Sequence, residues 1–288
     1  MIVMRRGRIP ATTENVRKIW QLGLALVIIG LGGSNVFAID PLGPPTGDLE
    51  KGMFRGGIEY SFSTMDLDLI EGKVNVYRNG LPLGSGTADS LTIDDFQVNT
   101  LYASIGYGLF ENCEVFFRMD AAKAKFGDSL WQEGEEFDGN QDLAIGAGIK
   151  ATFFETFAWK IGGVFQISRA ELDGKLDSSS WSIPQPHFIE ISTTEMQIAM
   201  GVSYMYSRRV SLYGGPFAHF ISGNFDYAFN RISKDFDTGE YSWEINEGPT
   251  FGGYFGAQIN IARNTSANIE YQQTSNANVF GANIMMRY

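Results

Sequence analysis

The sequence predicts an all-β chain that forms a transmembrane antiparallel up-and-down β-barrel, most simply of ten strands, with eight or twelve as the neighbouring counts. Three observations predict it. Apolar and polar residues alternate with period two in one segment after another. The links between these segments alternate between short and long. The chain opens with a secretory leader, yet no later apolar run approaches the roughly 18 residues of a membrane helix.

The leader comes first. Arg5, Arg6, Arg8, Arg17 and Lys18 precede the apolar stretch Ile19 to Leu31, and Val36-Phe37-Ala38 supplies small residues for cleavage. A basic region, a short apolar core and a V-x-A site read as a signal peptide over residues 1–38. The alternative is a membrane anchor, for which the apolar core is short against about 20 residues. No Cys follows it, so a lipid anchor is excluded. Its removal leaves 17 basic and 32 acidic side chains and shifts the net charge from −11 to −15. Residues 39–51 then form an N-terminal periplasmic segment, and 52–288 form the barrel.

Nine strands can be phased. Phe54, Ile58, Tyr60 and Phe62 share one parity, with Arg55, Glu59 and Ser61 on the other. A helix cannot gather such apolar residues on one face. The same alternation recurs at Leu101–Tyr107, Val115–Ala121, Ile145–Phe153 and Trp159–Ile167. It returns at Met196–Tyr204, Phe251–Ile261, Ile269–Tyr271 and Phe280–Tyr288. A tenth strand, Val210 to Ile221, is clear in length but not in phase, and Pro216 within it withholds a ladder donor. Short turns fall near 110–112, 154–156, 207–209 and 263–265, and long connections cover roughly 66–95, 123–142, 169–190, 222–249 and 273–277. Within the long connections, Asn79-Gly80 signals a hairpin turn, and the alternation around Asp237-Thr238-Gly239 suggests another.

The leader, the alternating strands and the final Ala282-Asn283-Ile284-Met285-Met286-Arg287-Tyr288 make the chain resemble the bacterial outer-membrane β-barrel proteins. The resemblance covers about 52–288 and identifies no subfamily. It implies a location in the cell outer membrane and contact with its lipid and lipopolysaccharide. It also implies that Tyr288, Met286 and Ile284 form a C-terminal signal read by the barrel-assembly machinery.

Charge divides by location. The inward parity carries Arg55, Arg118, Lys150, Lys160 and Arg287 against Glu59, Glu114, Asp120, Glu195 and Glu270, a net of zero. The first four long connections carry 22 acidic and eight basic residues. A balanced lumen suggests ion pairing, since buried charges stay paired or wet. A narrow passive pore for small solutes and a plugged structural barrel both fit it. Inward glycines such as Gly57, Gly108, Gly162 and Gly281 leave room and permit curvature. The outward Tyr107, Trp159, Tyr204, Tyr271 and Tyr288 lie near strand ends, as interfacial girdles require. The acidic connections suit a surface-contact or adhesion role. Asp138-Gly139-Asn140-Gln141-Asp142 and Asp235-Phe236-Asp237-Thr238-Gly239-Glu240 offer oxygens to divalent cations without matching a Ca2+ loop.

Other classes fit poorly. A 44% hydrophobic, 14% aromatic chain is not disordered, and its lone Cys113 cannot form an internal disulfide. Its acidity argues against nucleic acid. The mean hydropathy of −0.10 resembles that of a soluble protein, but it averages two interleaved parities. Outer-membrane proteases of the omptin type use an Asp pair and an Asp-x-His pair. Asp94-Asp95 supplies the first, whereas His187 and His219 lack the second. Lipid deacylases need a Ser beside a His, and neither His has one locally. No cofactor fingerprint or metal-ligand spacing is present. The expectation is therefore a non-enzymatic barrel without cofactor.

Overall fold

The computed structural model describes residues 39–127, 136–177, 187–230 and 238–288. The leader expected at 1–38 lies outside them. Among the described residues there is no helix. The strands are β1 (Phe54–Arg78), β2 (Leu81–Ala88), β3 (Leu91–Phe110), β4 (Cys113–Gly127), β5 (Glu136–Gly139) and β6 (Asp142–Glu155). They continue as β7 (Trp159–Asp177), β8 (His187–Met205), β9 (Val210–Asn230), β10 (Thr238–Asn260), β11 (Thr265–Gln273) and β12 (Ala277–Arg287).

Ten of these form a closed antiparallel ring, β1-β3-β4-β6-β7-β8-β9-β10-β11-β12, which is the strand count the alternation predicts. The ring shuts where β1 pairs with β12 from Arg55↔Arg287 to Met65↔Ala277. Phe54 and Tyr288 complete the seam by exchanging backbone hydrogen bonds of 3.3 and 2.9 Å. Closure leaves no free strand edge at membrane depth, where an open edge would strand unpaired backbone groups in lipid.

The outer face identifies the solvent. Ile58, Leu101, Ile145, Ile198, Phe251, Phe255 and Ile284 all point outward and are exposed. A continuous apolar belt of this kind is unfavourable in water and favourable in lipid. Rings mark the short-turn end of the belt. Phe54 lies 4.9 Å from Tyr107 and Trp159 lies 4.4 Å from Tyr204, centroid to centroid. Phe157 and Tyr206 at the neighbouring turns are also exposed, at 94% and 71%.

Above the belt the sheet continues, and the long connections are largely strand rather than loop. β1 has 25 residues and β10 has 23, well beyond a crossing of about 9–11. β11 and β12 stop at Gln273 and Ala277, so above them β1 pairs directly with β10, Leu69↔Ile245 through Tyr77↔Thr238. β5 takes the place of β6 between β4 and β7. The ring therefore narrows from ten strands to eight. The turn expected at Asn79-Gly80 joins β1 to β2, with φ of 50° and 74° at its two central residues, the paired positive values of a type I′ turn. The second expected hairpin pairs Phe225↔Trp243 and Tyr227↔Tyr241, while its tip at 231–237 lies outside the described residues.

The inward parity changes chemistry at this narrowing. On β1, Glu59, Ser61 and Ser63 give way to Met65, Leu67 and Leu69 without a change of parity. On β4, Arg118 and Asp120 give way to Ala122, Ala124 and Phe126. The outward residues reverse in step, from Phe62 to Asp66 and Asp68, and from Met119 to Lys123 and Lys125. The phase left open for β9 resolves the same way, with Tyr213, Phe217, His219, Ile221 and Phe225 inward. The lumen is thus polar only at membrane depth. Above it lies an apolar core containing Leu69, Phe96, Phe126, Phe225 and Trp243, drawn largely from stretches that the sequence reading gives to long connections. The reason is solvent: the extension stands in water, so its apolar face must turn inward. An eight-stranded ring is also about narrow enough for side chains to fill.

Candidate functional site

The site is the lumen at membrane depth, and the N-terminal segment occupies it. The segment 39–51, expected to sit in the periplasm before the barrel, instead threads through the short-turn mouth into the lumen. Gly52 N donates to Gly108 O at 2.8 Å where it enters. Leu49 and Leu42 are buried, and Ile39 is fully enclosed at 0% exposure within the apolar core. Burial of these apolar side chains is the physical reason for the correction.

Pro41, Pro44 and Pro45 explain how an irregular strand survives inside a barrel. Each removes an N–H that would otherwise need an acceptor and fixes φ near −65°. What remains is an excess of carbonyls over N–H groups, and the wall supplies donors. Gln272 Nε2 and Gln166 Nε2 donate to Asp40 O at 2.9 and 3.1 Å. Arg118 Nη2 donates to Pro41 O at 2.8 Å, Lys150 Nζ to Leu42 O at 2.6 Å, and Thr152 Oγ1 to Gly47 O at 3.2 Å. In return Leu42 N donates to Glu270 Oε1 at 2.8 Å. Inward glycines provide the clearance. A Cβ on Gly108 would lie 2.2 Å from Glu50 O, one on Gly162 2.4 Å from Pro45 O, and one on Gly281 2.5 Å from Pro41 Cγ.

All ten charged residues expected in the lumen face inward in this structure. Glu59, Glu114, Arg118, Asp120, Lys150, Glu195 and Glu270 are buried, and Arg55, Lys160 and Arg287 are partly so. Arg55 pairs with Glu114. Arg118 lies 3.5 Å from Glu59 and 3.9 Å from Asp40, its guanidinium 4.9 Å over the Phe116 ring. Asn283 Nδ2 donates to Glu59 Oε2 at 2.9 Å. Lys160 reaches Asp48 at 2.8 Å and Glu155 at 3.6 Å. The plug's Asp40 and Asp48 turn the expected five-against-five balance into five basic and seven acidic side chains. Tyr102 OH donates to Asp40 Oδ1. The void beside Gly43 and Lys150 measures only about 20 Å³, room for roughly one water molecule.

His219 and Glu195 sit at the upper boundary of this zone, 3.1 Å apart and buried. His187 meets Tyr227 higher up. Asp94 and Asp95 are exposed on the outer face, so the acidic pair and His219 do not share a site. Cys113 is buried and unpaired. Among the described residues no group of three or more His, Cys, Asp or Glu is arranged to hold a metal ion. Of the two acidic stretches proposed for cations, Asp138 is engaged by Lys123 and Lys125 at 2.9 and 3.2 Å. The hydrogen bond from Lys123, reinforced by Lys125, holds its carboxyl below the ordinary carboxylate range. Residues 235–237 of the second stretch lie outside the described residues. Ile284 and Met286 lie on the lipid side of β12 and Tyr288 directly follows it, all exposed.

The sequence reading assigned no site role to Asp40, Asp48, Gln166 or Gln272. The available signal was the three prolines set among Ile39, Leu42 and Leu49, an apolar content unsuited to a solvated linker.

No protein-family model and no curated protein matches the sequence. Solved structures show a general likeness. The outer membrane protein OprG from Pseudomonas aeruginosa is 9% identical, with 82% of this chain and 97% of that chain covered and a TM-score of 0.44. An outer membrane channel from Pseudomonas putida F1 is 11% identical, with 87% and 100% covered and a TM-score of 0.41. The outer membrane protease OmpT from Escherichia coli is 12% identical, with 86% and 97% covered and a TM-score of 0.40. At such values no activity carries over to this chain. The closed ring and its lipid-facing belt make this protein an outer-membrane β-barrel, as the sequence reading expects.

Proposed function

We propose that the protein is a non-conducting outer-membrane barrel whose role is surface contact, made by the sheet that rises above the membrane. One observation carries this: the lumen is filled twice over, by the segment 39–51 at membrane depth and by an apolar core above it. A solute would have to displace both. The extension, by contrast, is built for display. From Met65 to Arg78, β1 alone runs about 45 Å beyond the crossing, at roughly 3.3 Å per residue. Its outward side chains are largely acidic, among them Asp68, Glu190, Asp226 and Glu240, and exposed. Lipid and lipopolysaccharide are the partners of the belt and its upper rim. The barrel-assembly machinery is the partner of β12 during insertion, reading the edge that ends in Tyr288. No catalytic step is assigned, since the buried His219–Glu195 pair has no path to a substrate among the described residues.

The reading is tested by inserting an epitope between Asn79 and Gly80 and labelling intact cells, alongside swelling of proteoliposomes in small sugars. It expects surface labelling without swelling. Swelling at rates typical of open porins, or an epitope accessible only after cell lysis, would overturn it.

A further inference from the structure

Beneath the plug, the short-turn mouth of the barrel widens into a cavity of about 620 Å³. Its lining includes Lys160, Arg208, Arg209, Arg263 and Arg287, against Asp48 and Glu155 as the acidic members. This basic excess is the reverse of the acidic outer extension. It is also unevenly satisfied. Lys160 is engaged by Asp48 and Glu155 at 2.8 and 3.6 Å. The guanidiniums of Arg208, Arg209 and Arg263 make no ion pair among the described residues. Two adjacent turns hold them in place. Ser207 Oγ accepts from Arg209 N at 3.3 Å and Val210 N at 3.1 Å. Arg209 O accepts from Asn260 N at 2.8 Å, which ties the β8–β9 turn to the end of β10. Arg287 N donates to Asn264 O at 2.8 Å, which ties the β10–β11 turn to the seam.

Guanidinium groups present planar forks that match phosphate and carboxylate oxygens. A volume of about 620 Å³ falls within the roughly 300–1,000 Å³ of small-molecule sites. The inner lining comes from inward parities and the plug, so the cavity opens to the aqueous mouth and not to lipid. We infer that this vestibule is an anion-binding site on the periplasmic side. It takes a small phosphorylated solute, with Arg208, Arg209 and Arg263 as the principal contacts. Lys160 is held back by Asp48 and becomes available when that carboxylate is removed. The inference goes beyond the display role and survives if that role fails, because it concerns the opposite end of the molecule.

The test is calorimetric titration of the full-length barrel, in a phosphate-free maltoside detergent at low salt, with inorganic pyrophosphate as the probe. Saturable binding at millimolar concentrations or below is expected. The Arg208→Gln/Arg209→Gln/Arg263→Gln variant should weaken it about tenfold or more, and its heat-shifted gel mobility checks that the barrel is intact. Asp48→Asn should tighten binding by releasing Lys160, a gain that misfolding cannot mimic. Equal binding by the triple variant, or no saturable heat with the intact protein, would overturn the proposal. Phosphatidylglycerol added to the micelles separates the two phosphate sources. Undiminished pyrophosphate binding is expected, whereas stoichiometric competition by the lipid would overturn the soluble-ligand reading and make the arginines a headgroup contact.

Discussion

Arg118 joins the barrel wall to the plug through a buried charge, and Arg118→Met tests how far docking depends on it. The guanidinium is 5% exposed. It faces Glu59 on the wall and Asp40 on the plug at 3.5 and 3.9 Å, and donates to Pro41 O at 2.8 Å. Met preserves most of the volume and removes the charge. Breaking a buried pair in this way costs about 3–5 kcal/mol, chiefly because the partner carboxylates stay behind uncompensated. Glu59 is fixed to β1 and cannot leave, whereas Asp40 can, by undocking of the segment 39–49. Most of the penalty should therefore appear as plug release rather than barrel unfolding. At about 1.4 kcal/mol per decade, the protection of plug amides against hydrogen exchange should fall between roughly a hundredfold and a few thousandfold. Mass-spectrometric exchange on the refolded barrel reads this peptide by peptide. Peptides from β4, β7 and β8 should keep their wild-type protection. Plug peptides as protected as in the wild type would refute the reasoning, as would uniform loss across the strands.

Three further outcomes follow from the same geometry. Phe225→Ala removes a fully buried ring packed against Phe126 and Trp243, at centroid distances of 6.3 and 5.9 Å. It should lower unfolding stability by about 3–5 kcal/mol in denaturant titration while leaving plug exchange unchanged. Gly108→Val places a Cβ 2.2 Å from Glu50 O, so the plug entrance must shift. Increased exchange at residues 47–50 without loss of heat-shifted gel mobility is the expected reading. The Asp138 carboxyl, depressed first by its hydrogen bond to Lys123, should titrate below ordinary carboxylates in carboxyl-resolved NMR of the refolded barrel. A depressed carboxyl contributes its stabilisation above its unfolded-state value. That contribution persists at neutral pH and is lost only on acidification through the lowered folded value. Lys123→Ala should move the titration back up.

The strand count and the facing of the ten inner charges were legible because alternation reports the two sides of a strand directly. Three features were not. The segment 39–51 reads as a periplasmic segment because nothing local distinguishes a solvated Pro-rich stretch from one threaded through a lumen. Its burial depends on Gly108, Gly162 and Gly281, residues far along the chain that clear its path. The apolar upper core escaped for a subtler reason. Leu67 and Leu69 continue the parity of Glu59 and Ser61, so an apolar residue on the inner parity breaks the expected pattern unless the surrounding solvent has changed. The exchange of Phe62 for Asp66 and Asp68 on the outer parity carries that information, and it marks where lipid ends. His219 and Glu195 lie on separate strands, β9 and β8, and their meeting depends on a register that β9 alone, with Pro216 and no clear phase, does not reveal.

The closed lumen is the central claim, and single-channel recording in planar bilayers tests it most directly. Neither the wild-type barrel nor a variant lacking residues 39–51 should show discrete conductance steps, because the apolar core around Phe225 and Trp243 closes the eight-stranded upper ring even without the plug. Regular ohmic steps from the wild-type protein would contradict that account.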